Sequence, residues 1–338
     1  MAIRYEAQEY KDENEAMIAK ANIKTICKPQ KSRGGIRHNK FIVLIRRDVP
    51  IAVWTGSTNI SAGGIFGHSN LGHIVWDEVV AKQYLEYWER LASPTVTRAP
   101  LRDANLLAEP TPARHSAPPG DRMLSLYSPR DNEKAEETLK WYADVMGGAT
   151  RLMCMTFAFN LDQFFQDVLL RKDDTLRYAV FDKNLKQDVE DQIAQVHNTV
   201  IAAGAKLAKG DMENFLGETL TGFNTNYYIH DKFMLVDPLG DDPIVVTGSA
   251  NFSKPSQVVN DENMLVIRGN TRVADIYFGE FMRIFDHHYA RYLVRKIISE
   301  GNHDPNAGYL KEKAEGWVPP HFNPQSYKAK RRRYFVGG

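Results

Sequence analysis

The sequence predicts an α/β fold built from two related halves. Three observations predict it. Strand-like and helix-like segments alternate through residues 124–299, a 24-residue segment recurs at an offset of 192, and a Pro-containing stretch separates the two copies. The 338 residues are enough for two domains of ordinary size. Lys+Arg number 43 and Asp+Glu 42, so the formal charge is +1 and any basic surface must be local. Cys27 and Cys154 alone exclude a disulfide framework and a Cys-rich zinc site. No run approaches the ~18 consecutive apolar residues of a membrane-spanning helix. The start, MAIRYEAQEYKDENEA, is polar and acidic, so no signal peptide and a cytoplasmic location are expected.

Residues 1–92 form the first half, in which residues 4–30 match the helix and strand of 187–209 in type and order. Residues 93–123 hold six of the 16 prolines and read as a partly extended surface linker. The second half spans 124–299. Ala135, Leu139, Ala143 and Met146 give a helix over 132–146 with Asp131 as N-cap. RLMCMTFAF (151–159) and TLRYAVFD (175–182) read as buried strands. Val189, Ile193, Val196 and Val200 put a helix over 186–203, followed by a short strand at 205–209. Two strands, YYIHDKFMLVD and DPIVVTGSANFS, and a long helix over 272–298 complete the half. Residues 300–338 form a Pro-containing tail whose basic run, Lys328 to Arg333, reads as solvated.

The repeat carries the chemistry. HNKFIVLIRRDVPIAVWTGSTNIS (38–61) aligns without a gap on HDKFMLVDPLGDDPIVVTGSANFS (230–253), with nine of 24 positions identical. Residues i and i+2 of a strand share a face, so His38 projects with Lys40 and His230 with Lys232. Ser57 pairs with Asn59, and Ser249 with Asn251, in the same way. Each copy offers an imidazole, an ammonium, a hydroxyl and an amide, a donor set suited to phosphate. A pseudo-two-fold pairing would put both copies around one phosphorus. One His then attacks, and the other protonates the leaving oxygen and afterwards activates water. Lys40, Lys232, Ser57, Ser249, Asn59 and Asn251 would bind the phosphate and stabilise its developing charge. The scheme needs no metal or other cofactor.

These motifs resemble the paired His-x-Lys-x4-Asp motifs of the phospholipase D superfamily. The second copy matches in full through His230, Lys232, Asp237, Gly248, Ser249 and Asn251. The resemblance implies two pseudo-symmetric α/β/α sandwich halves, a covalent phosphohistidine and no metal. It implies that Asp237 is structural and that Glu262 orients a catalytic His, commonly that of the other half, here His38. His38 is then the nucleophile and His230 the general acid. The first copy departs from the family pattern. Ile45 stands at the Asp position, and Ser69 or Asn70 at the position of Glu262. The elements of 125–182 have no counterpart before His38, so the first half looks shortened, with a homodimer contact as one conceivable cover for its sheet edge.

His68 and His73 fall near the expected site mouth and read either as loop residues or as substrate contacts. His287 and His288 point about 100° apart on a helix, a poor metal pair. The leading function is a metal-independent phosphodiesterase whose partner is a phosphodiester, nucleic acid before phospholipid. Phospholipase D or phosphatidyl transferase chemistry is the first alternative. A catalytically silent phosphate-binding module is the second.

Overall fold

Elements follow one another in the order the alternation suggests. A computed structural model describes residues 1–7, 11–30, 35–93, 97–118, 120, 123–158, 161–204, 229–299 and 312–336. β1 (Ile3–Glu6), α1 (Lys11–Lys20) and β2 (Cys27–Gln30) come first. The first repeat copy gives β3 (Phe41–Arg46), β4 (Val49–Gly56), α2 (Ala62–Phe66), β5 (Gly72–Val75) and α3 (Glu78–Ala92). Next are α4 (Arg98–Ala108), β6 (Leu124–Ser128), α5 (Asn132–Gly147), β7 (Leu152–Phe157) and α6 (Gln163–Leu169). β8 (Leu176–Phe181), α7 (Gln187–Ala194) and β9 (Thr199–Ala203) follow. The second copy gives β10 (Phe233–Val236), β11 (Ile244–Gly248), α8 (Lys254–Val258), β12 (Glu262–Arg268) and α9 (Thr271–Ser299). α10 (Pro319–Phe322) and α11 (Tyr327–Val336) end the described chain.

The offset of 192 survives in three dimensions. β3 and β10 begin at equivalent positions, β4 and β11 end at equivalent positions, and α2 and α8 coincide at both ends. Gly56 and Gly248 close the matched strands for the same steric reason. A Cβ on Gly56 would lie 2.1 Å from the Leu71 carbonyl oxygen, and one on Gly248 would lie 2.2 Å from that of Asn263. The backbone approach leaves no room for a side chain.

The chain forms two compact units that interleave along the sequence. The first comprises Met1–Thr58, Leu71–Asp144 and Val246–Ile267. In it β1 and β2 pair in parallel, and β3, β4 and β5 form an antiparallel sheet with Phe41 opposite Thr55 and Thr55 opposite His73. β12 runs antiparallel to β6, with Glu262 opposite Ser128, and its other neighbour is β11. The core here is aromatic. Tyr84, Tyr87 and Tyr127 are buried, and the rings of Tyr87 and Tyr127 stack at 4.3 Å. The buried Tyr87 hydroxyl donates to the Ser128 carbonyl at 2.9 Å, which satisfies its polar end.

The second unit comprises Asn59–Asn70, Val145–Val245 and Arg268–Gly338. β10 lies antiparallel to β7, and β7, β8 and β9 are parallel. β7, β8 and β10 are buried at every residue, which explains their unbroken apolar runs. Phe281, Ile284 and Phe285 of α9 are buried in this unit.

Three expectations about elements change. The periodicity of 186–203 predicts one helix, whereas α7 stops at Ala194 and Thr199–Ala203 is a strand parallel to β8. Val196 and Val200 fit either period, and the β-branched run Thr199-Val200-Ile201 favours the strand. The stretch 93–123 is not simply extended, because it contains α4. Pro100 sits in the first turn, where its missing N–H costs little, and Leu101 and Asn105 are buried. Asn105 accepts from Arg90 at 3.1 Å and donates to the Pro129 carbonyl at 3.2 Å. The basic run of the tail is used inside the protein as well. Arg331 donates to the Tyr178 hydroxyl at 2.8 Å, Lys330 pairs with Asp174, and Arg151 lies 4.7 Å over the Tyr334 ring. The strand expected at 205–209 lies outside the described residues.

Asp237 and Ile45 explain each other. Asp237 adopts a left-handed backbone (φ 45°) at the end of β10. Its carboxylate accepts from the Thr150 amide and hydroxyl, both at 2.8 Å, and from the Arg151 and Leu152 amides at 2.8 and 2.9 Å. It therefore ties β10 to the start of β7. Among the described residues β3 has one strand neighbour, β4, which gives Ile45 no corresponding amides to cap, and Ile45 is 46% exposed. Asp237→Ala is expected to lower stability by about 2–3 kcal/mol, since it orphans several backbone donors at once. Denaturant unfolding measures this, and a loss below about 0.5 kcal/mol would contradict the capping role.

Candidate active site

In the first unit, residues 35–40 run beside residues 260–263 and pair with them in turn. Arg37 and Asp261 form a parallel bridge and an ion pair at 2.6 Å. The His38 amide donates to the Asp261 carbonyl at 3.1 Å, and the Lys40 amide donates to Asn263 Oδ1 at 3.1 Å. His38 Nδ1 lies 2.8 Å from Glu262 Oε2. Glu262 is 1% exposed, and its oxygens also accept from the Ser249 hydroxyl at 2.7 Å and from Asn260 Nδ2 at 3.1 Å. Burial pushes the Glu262 carboxyl up, but His38, Lys40 and the Ser249 hydroxyl together hold it below its ordinary value. A carboxylate accepts and never donates, so the proton of the neutral His38 ring sits on Nδ1 and its Nε2 carries none.

In the second unit, residues 68–70 run beside 229–230 in the equivalent way. Ser69 bridges Ile229 in parallel, and the His230 amide donates to the Ser69 carbonyl at 3.1 Å. His230 Nδ1 lies 2.7 Å from Asn70 Oδ1. The Asn70 amide nitrogen donates to the Gly64 carbonyl at 2.8 Å, which fixes the orientation of the group. His230 therefore also carries its proton on Nδ1. Of the two residues matching Glu262, Asn70 makes the contact. Each histidine is thus oriented from the other repeat copy, one by a carboxylate and one by a neutral amide.

Both lysines fold back on their own motif. Lys40 Nζ donates to the His38 carbonyl and Lys232 Nζ to the His230 carbonyl. Burial pushes the Lys40 ammonium down to about 8, although Glu262 pulls it the other way. Its charge is therefore complete at neutral pH and lost above about 8, whereas an unfolded Lys titrates near 10.5. Between those values the unfolded chain holds more protons, so Lys40 makes stability rise with pH there while the charge offered to an anion disappears. Binding of an anion that relies on this ammonium is accordingly expected to weaken above about pH 8, and an affinity for inorganic phosphate that falls no further from pH 8 to pH 10 would contradict it.

The serine hydroxyls bond within the protein. Ser249 donates to Glu262 and accepts from the Asn263 amide at 2.9 Å, and Ser57 accepts from the Leu71 amide at 3.0 Å. Both hydroxyls thus take part in holding the residues that follow their strand. The Asn251 amide donates to the Ser256 hydroxyl at 3.2 Å. Asn251 Oδ1 is buried without a partner among the described residues, and Asn59 is half-buried.

Asn263 is a positioning residue that sequence reasoning missed. Its Oδ1 accepts from the Lys40 amide, while its Nδ2 donates to the Thr55 hydroxyl at 2.7 Å and approaches the Tyr84 hydroxyl at 3.3 Å. The available signal was the polar run Asn260-Asp261-Glu262-Asn263 at the head of an otherwise apolar strand. Among the described residues, no group of three or more His, Cys, Asp or Glu stands together as a metal-ligand set.

Each unit of this α/β protein thus holds one histidine with its Nδ1 fixed and a lysine two residues on. Residues 181–287 match the family model described as cardiolipin synthase, PLD-like domain. The similarity to a phospholipase D-like domain extends over that segment of the chain. No curated protein sequence matches it. Phosphatidylserine synthase from Haemophilus influenzae Rd KW20 is similar with a TM-score of 0.51 at 12% identity, over 80% of this chain and 69% of that one. That likeness carries the fold alone. NucT from Helicobacter pylori has a TM-score of 0.35 at 18% identity, over 48% of this chain and 96% of that one. Nuc from Salmonella typhimurium has a TM-score of 0.33 at 20% identity, over 48% and 92%.

Proposed function

We propose that the protein is a metal-independent phosphodiesterase that works through a phosphohistidine on His38. The observation that supports this best is the fixed Nδ1 proton of both histidines, which makes each Nε2 the reacting atom. His38 Nε2 attacks phosphorus as the bond to the leaving oxygen breaks, and the His230 imidazolium gives its Nε2 proton to that oxygen. Neutral His230 then takes a proton from water, the water oxygen attacks phosphorus, and the P–N bond breaks. Lys40 and Lys232, with Asn59 and Asn251, bear on the non-bridging oxygens. Asp237 stays outside the chemistry.

Nucleic acid is the preferred substrate and cytoplasm the expected location. The local positive charge of α11, a helix without an acidic residue, supports the first. A phospholipid is the second reading. It is favoured by Ile60, Ile65 and Phe66, which are 73, 53 and 72% exposed on the segment that also carries Asn70. Among the described residues, no helix is long and apolar enough to cross a membrane. One assay in EDTA, offering single-stranded DNA, RNA and phosphatidylcholine vesicles with His38→Ala as blank, separates the readings. Cleavage of nucleic acid that is lost in the blank supports the proposal. Cleavage of lipid moves it to the second reading. Binding without turnover marks a silent module.

A further inference from the structure

His68 is used by nothing described so far, yet it lies against a reactive group. Its ring centroid is 5.5 Å from that of His230, at an interplanar angle of 42°. Both of its ring nitrogens are buried and have no hydrogen-bond partner among the described residues. Buried polar atoms without partners are costly and call for an explanation, among them a catalytic role or a bound water or ion.

The repeat sharpens the point. The residue equivalent to His68 at the offset of 192 is Asn260, whose amide supports Glu262 at 3.1 Å. His68 gives no such support, since Asn70 is held instead by the Gly64 carbonyl. One copy thus places a supporting amide where the other places an imidazole with two unengaged nitrogens. The backbone leaves little freedom, because the His68 amide donates to the Gly63 carbonyl at 3.0 Å and Ser69 receives the His230 amide. Burial first, then the Lys232 charge, push the His68 imidazolium down despite Asp182, so the ring is neutral at pH 7. A neutral imidazole keeps one N–H to donate, and it does not repel a protonated His230.

We propose that His68 is a substrate-contacting residue of the His230 half-site, donating a hydrogen bond to a non-bridging phosphate oxygen. This rests on the phosphodiesterase reading, although phosphate recognition can be tested apart from turnover.

The experiment uses His68→Phe, which keeps an aromatic ring beside His230 and removes both nitrogens, and His68→Gln, which restores a donor. Inorganic phosphate affinity is measured by calorimetry, and kcat and KM with bis(4-nitrophenyl) phosphate. His68→Phe is expected to weaken phosphate binding about fivefold to tenfold and to raise KM by a similar factor, with kcat less affected. His68→Gln is expected to recover most of that loss. Unchanged affinity in His68→Phe, or no phosphate binding by the wild type, overturns the proposal. If the wild type binds phosphate through His68 but turns over no diester, the assignment stands and the phosphodiesterase reading falls. Should His68→Phe fail to fold, the wild-type His68 Cε1–H resonance decides, identified by its loss in His68→Gln. It must shift on phosphate addition, and a stationary resonance overturns the proposal.

Discussion

Replacing either motif histidine by alanine is expected to lower turnover by ~10³-fold or more, but the two variants should fail differently. His38→Ala removes the proposed nucleophile, so no substrate rescues it. His230→Ala removes the proposed proton donor, whose service matters most when the leaving alcohol is a poor one. With 4-nitrophenolate, which leaves without protonation, His230→Ala should recover part of the first step. The assignment follows from the partners. A phosphorylated imidazole ring carries positive charge, and the Glu262 carboxylate at His38 stabilises it where the Asn70 amide at His230 does not. Acid quench during turnover followed by peptide mapping should place the phosphoryl group on His38. Finding it on His230, or finding leaving-group rescue in His38→Ala instead, would reverse the roles.

Glu262→Gln carries the second largest expected effect, a loss of about 10- to 100-fold in kcat. The substitution keeps the shape and leaves an oxygen to accept from His38 Nδ1, but it removes the charge. The second unit already shows the resulting arrangement, because His230 rests on a neutral amide at 2.7 Å. Glu262→Ala should differ in kind. It strands the Ser249 hydroxyl and the Asn260 amide in a buried place, which costs about 2–4 kcal/mol in addition to activity. The pH sense is also fixed. The Glu262 carboxyl is held below its ordinary 4.5, so its contribution to stability is complete above that value and is lost as acid protonates it. Glu262→Gln should lack this acid-sensitive share. Equal kcat in wild type and Glu262→Gln would remove the carboxylate from the mechanism.

Much of this arrangement was legible in the sequence because the repeat is ungapped. The offset of 192 matched β3 to β10 and α2 to α8, and it pointed to position 69 or 70 as the mate of Glu262. What escaped did so for physical reasons. Asn263 works through hydrogen bonds to Lys40 and Thr55, more than 200 residues away, and no local pattern marks such a partner. The bonds of Ser57 to the Leu71 amide and of Ser249 to Glu262 reach across more than ten residues, and residue type alone does not announce them. α4 was hidden by its prolines, although one of them sits where a helix tolerates it. Residues 186–203 mixed two periods, and the parallel pairing with β8 decided between them.

The reciprocal orientation of the histidines limits how the two copies can diverge. A change at position 262 is felt at His38, and a change at position 70 is felt at His230. Neither copy owns the residue that sets the character of its own base. A substitution in one copy therefore acts on the histidine of the other. Glu262 and Asn70, at matched positions, set the two histidines apart by a single exchange of charge for amide. Severing the chain between the copies would leave each histidine without its partner, so activity should return only when both pieces are supplied together.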